Sequence, residues 1–298
     1  MTERIKAHLG LLATNLFFAI NVSAMKYITT AGFAGPYGLN VVRSAVCVML
    51  FWLLFFASTE KKQIRRKDIF RFILCAFSAL AANQMLFMKG VSLTYPIHAS
   101  LLLLITPILI TFIAARVLKE RITINKLIGL FLGITGACIL ILSGDDASQG
   151  NNILLGDLLI IISTVLYTIY FILVKPLMQK YSTMNVMRWV FTFGVIMILP
   201  LGWNEFIEIP WKDYNVTEYV LLFMIVVPGT FLAYIFNAYG IKKLSASTAG
   251  TYIYLQPVFA VIIATIFLKE SLELYKIIAG IIIFTGVYFA NKSAKSNA

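Results

Sequence analysis

Charge is what this 298-residue chain is short of. Asp, Glu, Lys and Arg make up 13% of it, where a soluble domain carries about a quarter. With 60% apolar residues and a mean hydropathy of +0.88, it reads as a polytopic membrane protein rather than a water-soluble domain. Acid is scarcer than base, 13 residues against 25, and each carboxylate falls between apolar runs or at the end of one. Proton- and sodium-driven carriers usually keep an ionisable group near the membrane midplane. The distribution therefore argues against a carboxylate relay and for a facilitator or exchanger. His98, near the outer end of the fourth run, is the imidazole placed for coupling, with an interfacial polar role as the plainer alternative. Cys47, Cys75 and Cys138 lie inside apolar runs without paired spacing, which excludes a disulfide framework and a metal site. There is no His-Glu-x-x-His, no Gly-x-Ser-x-Gly and no mid-span aspartate pair, so an intramembrane enzyme would lack its reactive groups. No cofactor is implied.

What is present is a series of long apolar runs. A helix needs about 20 apolar residues to cross hydrocarbon. Runs of that order occupy 8–27, 36–57, 69–89, 95–118, 124–143, 154–175, 184–203, 217–238, 247–268 and 273–292. They lack the strict alternation of barrel strands, and helices satisfy their own amides in lipid. The expected fold is an all-α integral membrane protein of ten transmembrane helices, with connections too short for a soluble domain. The formal charge of +12 does not indicate nucleic acid, because the basic residues occupy the breaks rather than one stripe. With the N-terminus inside, 19 of the 25 Lys and Arg residues fall on cytoplasmic stretches, while Asp145, Asp146, Glu205, Glu208 and Asp213 fall outside. Both termini are thus expected in the cytoplasm. Arg4, Lys6 and Val22-Ser23-Ala24 imitate a cleavable signal, but Lys26 at the end of the first run has a counterpart in Lys175 at the end of the sixth. The first run is accordingly read as a retained span.

The chain also repeats itself. Leu118-Lys119-Glu120 ends thirteen residues after Pro107, and Leu268-Lys269-Glu270 ends thirteen after Pro257, 150 residues on. Gly90 and Gly240, Lys126 and Lys276, and Thr135-Gly136 and Thr285-Gly286 keep that offset; Asn40-Val-Val-Arg43 and Asn185-Val-Met-Arg188 match at a slightly shorter one. Two units follow, 1–146 and 147–298. Five spans is an odd number, so the second unit must enter the membrane from the other side. Two inverted five-helix repeats can open a central site alternately to either face.

The mid-helix prolines, the two Leu-Lys-Glu endings, and the stretches Leu93-Thr-Tyr-Pro-Ile-His-Ala-Ser-Leu and Tyr254-Leu-Gln-Pro257-Val-Phe-Ala together resemble the drug/metabolite transporter superfamily, in its EamA-like branch. Gly156-Asp157 at the opening of the sixth span fits as well. The resemblance spans nearly the whole chain and implies an inner-membrane permease. Such a protein would export or exchange amino acids, metabolites or drugs by alternating access, with a small solute and the bilayer as partners and no nucleic acid. A nucleotide-sugar or sugar-phosphate exchanger of the same superfamily is the rival, although only Arg43 and Lys89 qualify as cavity cations for phosphate. A non-transporting scaffold is the alternative of another class.

Several residues are candidates for the pathway. A proline inside a helix cannot donate its amide, so Pro107, Pro228 and Pro257 are expected to free the carbonyls of Leu103, Met224 and Ile253 near mid-span, as static kinks or hinges. Glu120 and Glu270 end their helices at the negative dipole end, and Lys126 and Lys276, six residues on, are expected to answer them as structural pairs or gates. Asn15, Asn21, Asn83, Gln84 and Asn237 are polar groups inside spans. Ser163, Tyr167 and Tyr170 share one helix face, as do Thr248, Tyr252 and Gln256. These residues line a cavity or bond between helices. Arg43 is expected to face the cavity or brace Asn40, and Arg188 to snorkel to the cytoplasmic edge. Gly129, Gly133 and Gly136 form a ridge for close packing within the bundle or in a homodimer; monomer and homodimer both stand open.

Overall fold

A computed structural model describes residues 2–57, 63–94, 102–142, 152–267 and 273–292. His98 and Glu270 lie outside the described residues. All regular structure among the described residues is helical: α1 (Glu3–Thr30), α2 (Pro36–Ala57), α3 (Arg66–Ala76), α4 (Ala82–Leu93), α5 (Ile105–Val117), α6 (Ile124–Leu142), α7 (Ile153–Lys180), α8 (Thr183–Ile207), α9 (Val216–Val226), α10 (Ala233–Lys243), α11 (Ala246–Thr251), α12 (Leu255–Phe267) and α13 (Leu274–Lys292). Joined end to end, α3 and α4, α9 and α10, and α11 and α12 form single rods. Among the described residues, eight helices are long and apolar enough to cross a membrane, and Ile105–Val117 and Ile124–Ile139 are shorter apolar helices.

Local sequence explains where the helices begin. Thr2, Asn152, Ser182 and Ser245 each turn a side-chain oxygen onto a backbone amide of the first turn, and Asn215 with Glu218 forms a capping box. Pro36 stands first in α2, where a missing amide costs nothing.

The breaks recur as faithfully as the helices. A π turn at Phe77–Ala81 joins α3 to α4, and another at Val227–Leu232 joins α9 to α10, 150 residues later. Pro228 lies in the second turn; Ser78 occupies its place in the first, so proline is not required for the bulge. Carbonyls loosened by the turns are taken locally: Thr230 Oγ1 donates to Ile225 O at 2.7 Å and Ser78 Oγ to Leu74 O at 2.7 Å.

Pro107 and Pro257 each stand just after a local change in the helical path. Each is the third residue of a 13-residue helix, α5 or α12, and stands in its first turn. The helical path is already broken before each, at a turn at Leu104 and at the 3-10 segment Tyr252–Tyr254. Pro257 therefore lies inside the α11–α12 rod just past its 3-10 turn, where a residue without an amide leaves no donor to satisfy.

Packing respects the same exchange. α4 lies on α7 as α10 lies on α1, α5 on α7 as α12 on α1, and α3 on α8 as α9 on α2. Two pairs map onto themselves, α2 with α8 and α6 with α13. The glycine ridge of α6 is used inside the bundle: a Cβ at Gly129 would lie 2.6 Å from Gly286 O, and one at Gly136 2.8 Å from Ala279 O. Side chains such as Phe56, Phe131, Leu154 and Val216 are exposed, whereas Asn15, Asn21, Asn40, Arg43, Thr168 and Asn237 are buried. An apolar exterior around a partly polar interior suits a protein whose solvent is lipid.

Candidate functional site

Polar side chains from both halves meet inside the bundle. Arg43 on α2 is 5% exposed and, among the described residues, has no carboxylate partner. Its Nε donates to Asn40 Oδ1 at 2.9 Å and its Nη1 to the Met25 sulfur of α1 at 3.6 Å. Tyr234 of α10 and Cys47 lie near enough to feel the guanidinium charge. Gln84 of α4 donates to Tyr234 Oη at 3.0 Å. These two residues are 150 positions apart and so occupy the same place in the two halves. Asn40 Nδ2, Ser44 Oγ and Gln84 Oε1 are buried without a hydrogen-bond partner, as are Asn21 Oδ1 and Tyr170 Oη, and a second group, Arg188 Nε and Nη1 with Trp189 Nε1, is unpartnered on α8. More than about nine-tenths of buried polar groups are normally satisfied, so the surroundings of both buried arginines stand out.

Other candidates pair across the bundle. Gln256 Nε2 donates to Asn15 Oδ1 at 3.0 Å, joining α12 to α1, and Asn237 Nδ2 to Tyr167 Oη at 3.4 Å, joining α10 to α7. The rings of Tyr167 and Tyr170 stack with centroids 6.0 Å apart. Asn83 and Asn21 are spent on backbone, donating to Ser163 O at 2.7 Å and Gly229 O at 2.9 Å. Tyr252 leaves the Gln256 group altogether: its hydroxyl lies 2.7 Å from His8 Nδ1 and accepts from Asn291 Nδ2 at 3.3 Å.

At one end, the first half grips the second. α5 closes with Leu118 as its cap and Lys119 in the left-handed region at φ 57°, a conformation uncommon outside glycine. That turn aims Glu120 at the start of α11. Its carboxylate accepts from Ala246 N at 2.7 Å, Ser247 N at 3.2 Å and Ser247 Oγ at 2.6 Å. Lys126 Nζ donates to Ser247 Oγ at 2.7 Å and stands 3.9 Å from Glu120 Oε2. Lys175 Nζ donates to the carbonyls of Ile241 and Leu244, closing the end of α10. Leu118-Lys119-Glu120 thus has a use that spacing alone did not reveal: a carboxylate serving as helix cap for the other half. Lys276 is half-buried at the start of α13, with the Tyr275 ring centroid 5.9 Å from its ammonium.

Arg188 departs from its expectation. It is 2% exposed rather than snorkelling, and its guanidinium sits 3.4 Å over the Phe55 ring and 4.6 Å over that of Trp52, with Nη2 donating to Asn185 Oδ1 at 2.7 Å. A planar cation between aromatic faces is a brace, and it locks α8 to α2. Two participants escaped the sequence reading, His8 and Tyr234. His8 carries no signal in the repeat, whereas adding the repeat offset to Gln84 points directly at Tyr234.

Known proteins match this architecture. The family model for the EamA-like transporter family matches residues 5–142 and again 154–292. The uncharacterised transporter YetK of Bacillus subtilis is 27% identical over 244 residues, covering 81% of this chain and 73% of YetK. A probable terminal-alkyne amino-acid exporter of Streptantibioticus cattleyicolor is 25% identical over 231 residues, covering 76% of this chain and 75% of that protein. One crystal structure superposes with a TM-score of 0.78 at 16% identity, over 98% of this chain and 99% of the other, a likeness of fold alone. With both halves matched in turn, the chain belongs to the EamA-like transporter family, a family of multi-pass membrane transporters.

Proposed function

We propose that the protein is a secondary transporter that exports or exchanges small organic solutes by alternating access. In this reading its ten helical rods all cross the membrane, as inverted repeats 1–146 and 147–298 of five spans each. It lies in the inner membrane with both termini in the cytoplasm, where the basic breaks collect. The observation that carries the proposal is the exchange of halves: helix packing, π turns and broken α5 and α12 rods recur at one offset, so whatever one half does at one face the other can do at the opposite face. The Glu120 latch is the gate at the cytoplasmic end, and Glu270 with Lys276 is the matching gate outside. Amino acids are the favoured cargo because amides and tyrosines line the interior, and a relative named as an amino-acid exporter points the same way.

The test is counterflow in proteoliposomes of the purified protein, with a mixed pool of amino acids and cationic drugs followed by mass spectrometry, with and without a pH gradient. Selective exchange of at least one solute is expected. A protein that exchanges nothing in the pool, while remaining folded, is not the transporter proposed.

A further inference from the structure

A buried guanidinium such as that of Arg43, with no carboxylate facing it among the described residues, is an unusual thing to find in a membrane interior. Removing a charge from water is costly, and proteins normally answer it with an opposite charge. Arg43 and Arg188 occupy matching places in the repeat, and the two halves treat them differently. Arg188 is enclosed by Phe55, Trp52 and Trp189, a cage that substitutes aromatic faces for a counterion. Arg188 Nε and Nη1 and Trp189 Nε1 are buried there without a hydrogen-bond partner, whereas the unpartnered groups beside Arg43 are the amide of Asn40 and the hydroxyl of Ser44.

The chemistry of those neighbours is specific. Arginine cannot accept a hydrogen bond, so its contact with Asn40 fixes that amide with oxygen toward the guanidinium and NH2 away from it. Asn40 Nδ2 is therefore a buried donor without an acceptor. Tyr234 accepts from Gln84 and has its own proton to give. Arg43, Asn40 and Tyr234 are thus donors contributed by both halves of the chain. On α1, Asn21 lies one turn from Met25, the residue that touches Arg43, and holds an unpartnered Oδ1. Tyr170 stacks on Tyr167, which accepts from Asn237, and has an unpartnered hydroxyl.

Resting on the transport reading above, we infer that Arg43, with Asn40 and Tyr234, binds the carboxylate of the transported solute, so that the protein selects organic acids, amino acids included, over cationic compounds lacking an acid group. A guanidinium fork fits a carboxylate with two parallel bonds, and one cation balances one negative charge. A phosphate dianion would want a second cation, and Arg188, the other buried arginine, lies against Phe55, Trp52 and Asn185 rather than against Asn40. Asn21, Gln84 and Tyr170 then supply the mixed acceptors and donors that meet the rest of the solute, such as an ammonium or hydroxyl group.

The experiment uses matched pairs: L-leucine with L-leucinamide, L-phenylalanine with L-phenylalaninamide, and succinate with succinamide. Two readouts run in parallel, counterflow in proteoliposomes and thermal stabilisation of the detergent-solubilised full chain. At least one acid is expected to stabilise and exchange, with its amide about tenfold weaker or silent. Arg43→Gln should abolish the preference of acid over amide, and Arg43→Lys should keep the sign of the preference with weaker binding because the fork is lost. Tyr234→Phe keeps the ring and removes one donor; it should weaken acid binding several-fold and remains informative if Arg43→Gln fails to fold. Acid-selective stabilisation without exchange would sustain the carboxylate site and sink the transport reading. Exchange of amides or cationic drugs as readily as acids, or an acid preference that survives Arg43→Gln, would overturn the inference and leave transport standing. If no acid stabilises or exchanges, the carboxylate site is refuted.

Discussion

Glu120 and Arg188 each hold the two halves together with a single side chain, by opposite means. Glu120 satisfies two backbone amides and a hydroxyl of α11 and is only 12% exposed, so Glu120→Ala removes a cap and strands Lys126 beside Ser247. A loss of about 1–2 kcal/mol is expected, read as a lower midpoint of thermal unfolding in detergent. An unchanged midpoint would mean that the capping bonds contribute nothing. Arg188→Lys keeps the charge but cannot stack flat between Phe55 and Trp52, and about 1 kcal/mol of stability should go with the stacking. Acid-over-amide selection should be untouched in that variant; if it collapsed instead, the brace would have to be reassigned to the solute site. The sequence marked both arginines as anomalies and separated them by depth, yet it gave no sign of the cage around Arg188. Depth within a span is legible from position, whereas an aromatic cage built from α2 and α8 depends on packing between segments distant in the chain.

Among the elements, α6 and α13 cross where glycine is required for space. A Cβ at Gly286 would stand 2.8 Å from Gly129 O and 2.8 Å from Gly133 N, both backbone atoms that cannot swing aside. Gly286→Ala should therefore destabilise by roughly 1–3 kcal/mol as the helices are forced apart. Gly280 on the same helix is the control: its added methyl would meet only Val258 Cγ1 at 3.7 Å, so Gly280→Ala should be neutral or gain up to about 1 kcal/mol from helix propensity. Thermal unfolding of the two variants side by side decides the matter, and equal midpoints would contradict the crossing described. The apolar runs and the glycine ridge were readable because they obey composition and helical spacing. The π turns were not, since Pro228 and Ser78 hold equivalent places in them and share no residue type that announces a bulge. Pro107 and Pro257 were legible as prolines inside apolar runs, but the turn at Leu104 and the 3-10 segment Tyr252–Tyr254 before them were not, because a local change of helical pitch leaves no residue signature.

At the scale of the whole molecule, the scaffold repeats and the lining does not. Glycine contacts and helix crossings exchange between halves, but Asn21 faces its counterpart position with Tyr170, Gln84 with Tyr234, and Gln256 with Thr106. A symmetric frame permits two mirror-related gating states, while an asymmetric lining lets one solute orientation be preferred in both. Alternating access then requires the Glu120 latch to part from α11 in every cycle. Glu120→Cys with Ser247→Cys places two thiols where side chains now touch at 2.6 Å, in a background where Cys138 is replaced and the buried Cys47 and Cys75 remain. A short thiol-specific crosslinker should stop counterflow almost completely, and reduction should restore it. Transport that continues at full rate through a crosslink verified by mass spectrometry would show that this end stays shut throughout. The solute would then have to leave by a route that does not separate α5 from α11, and rocking of the two halves would no longer describe the protein.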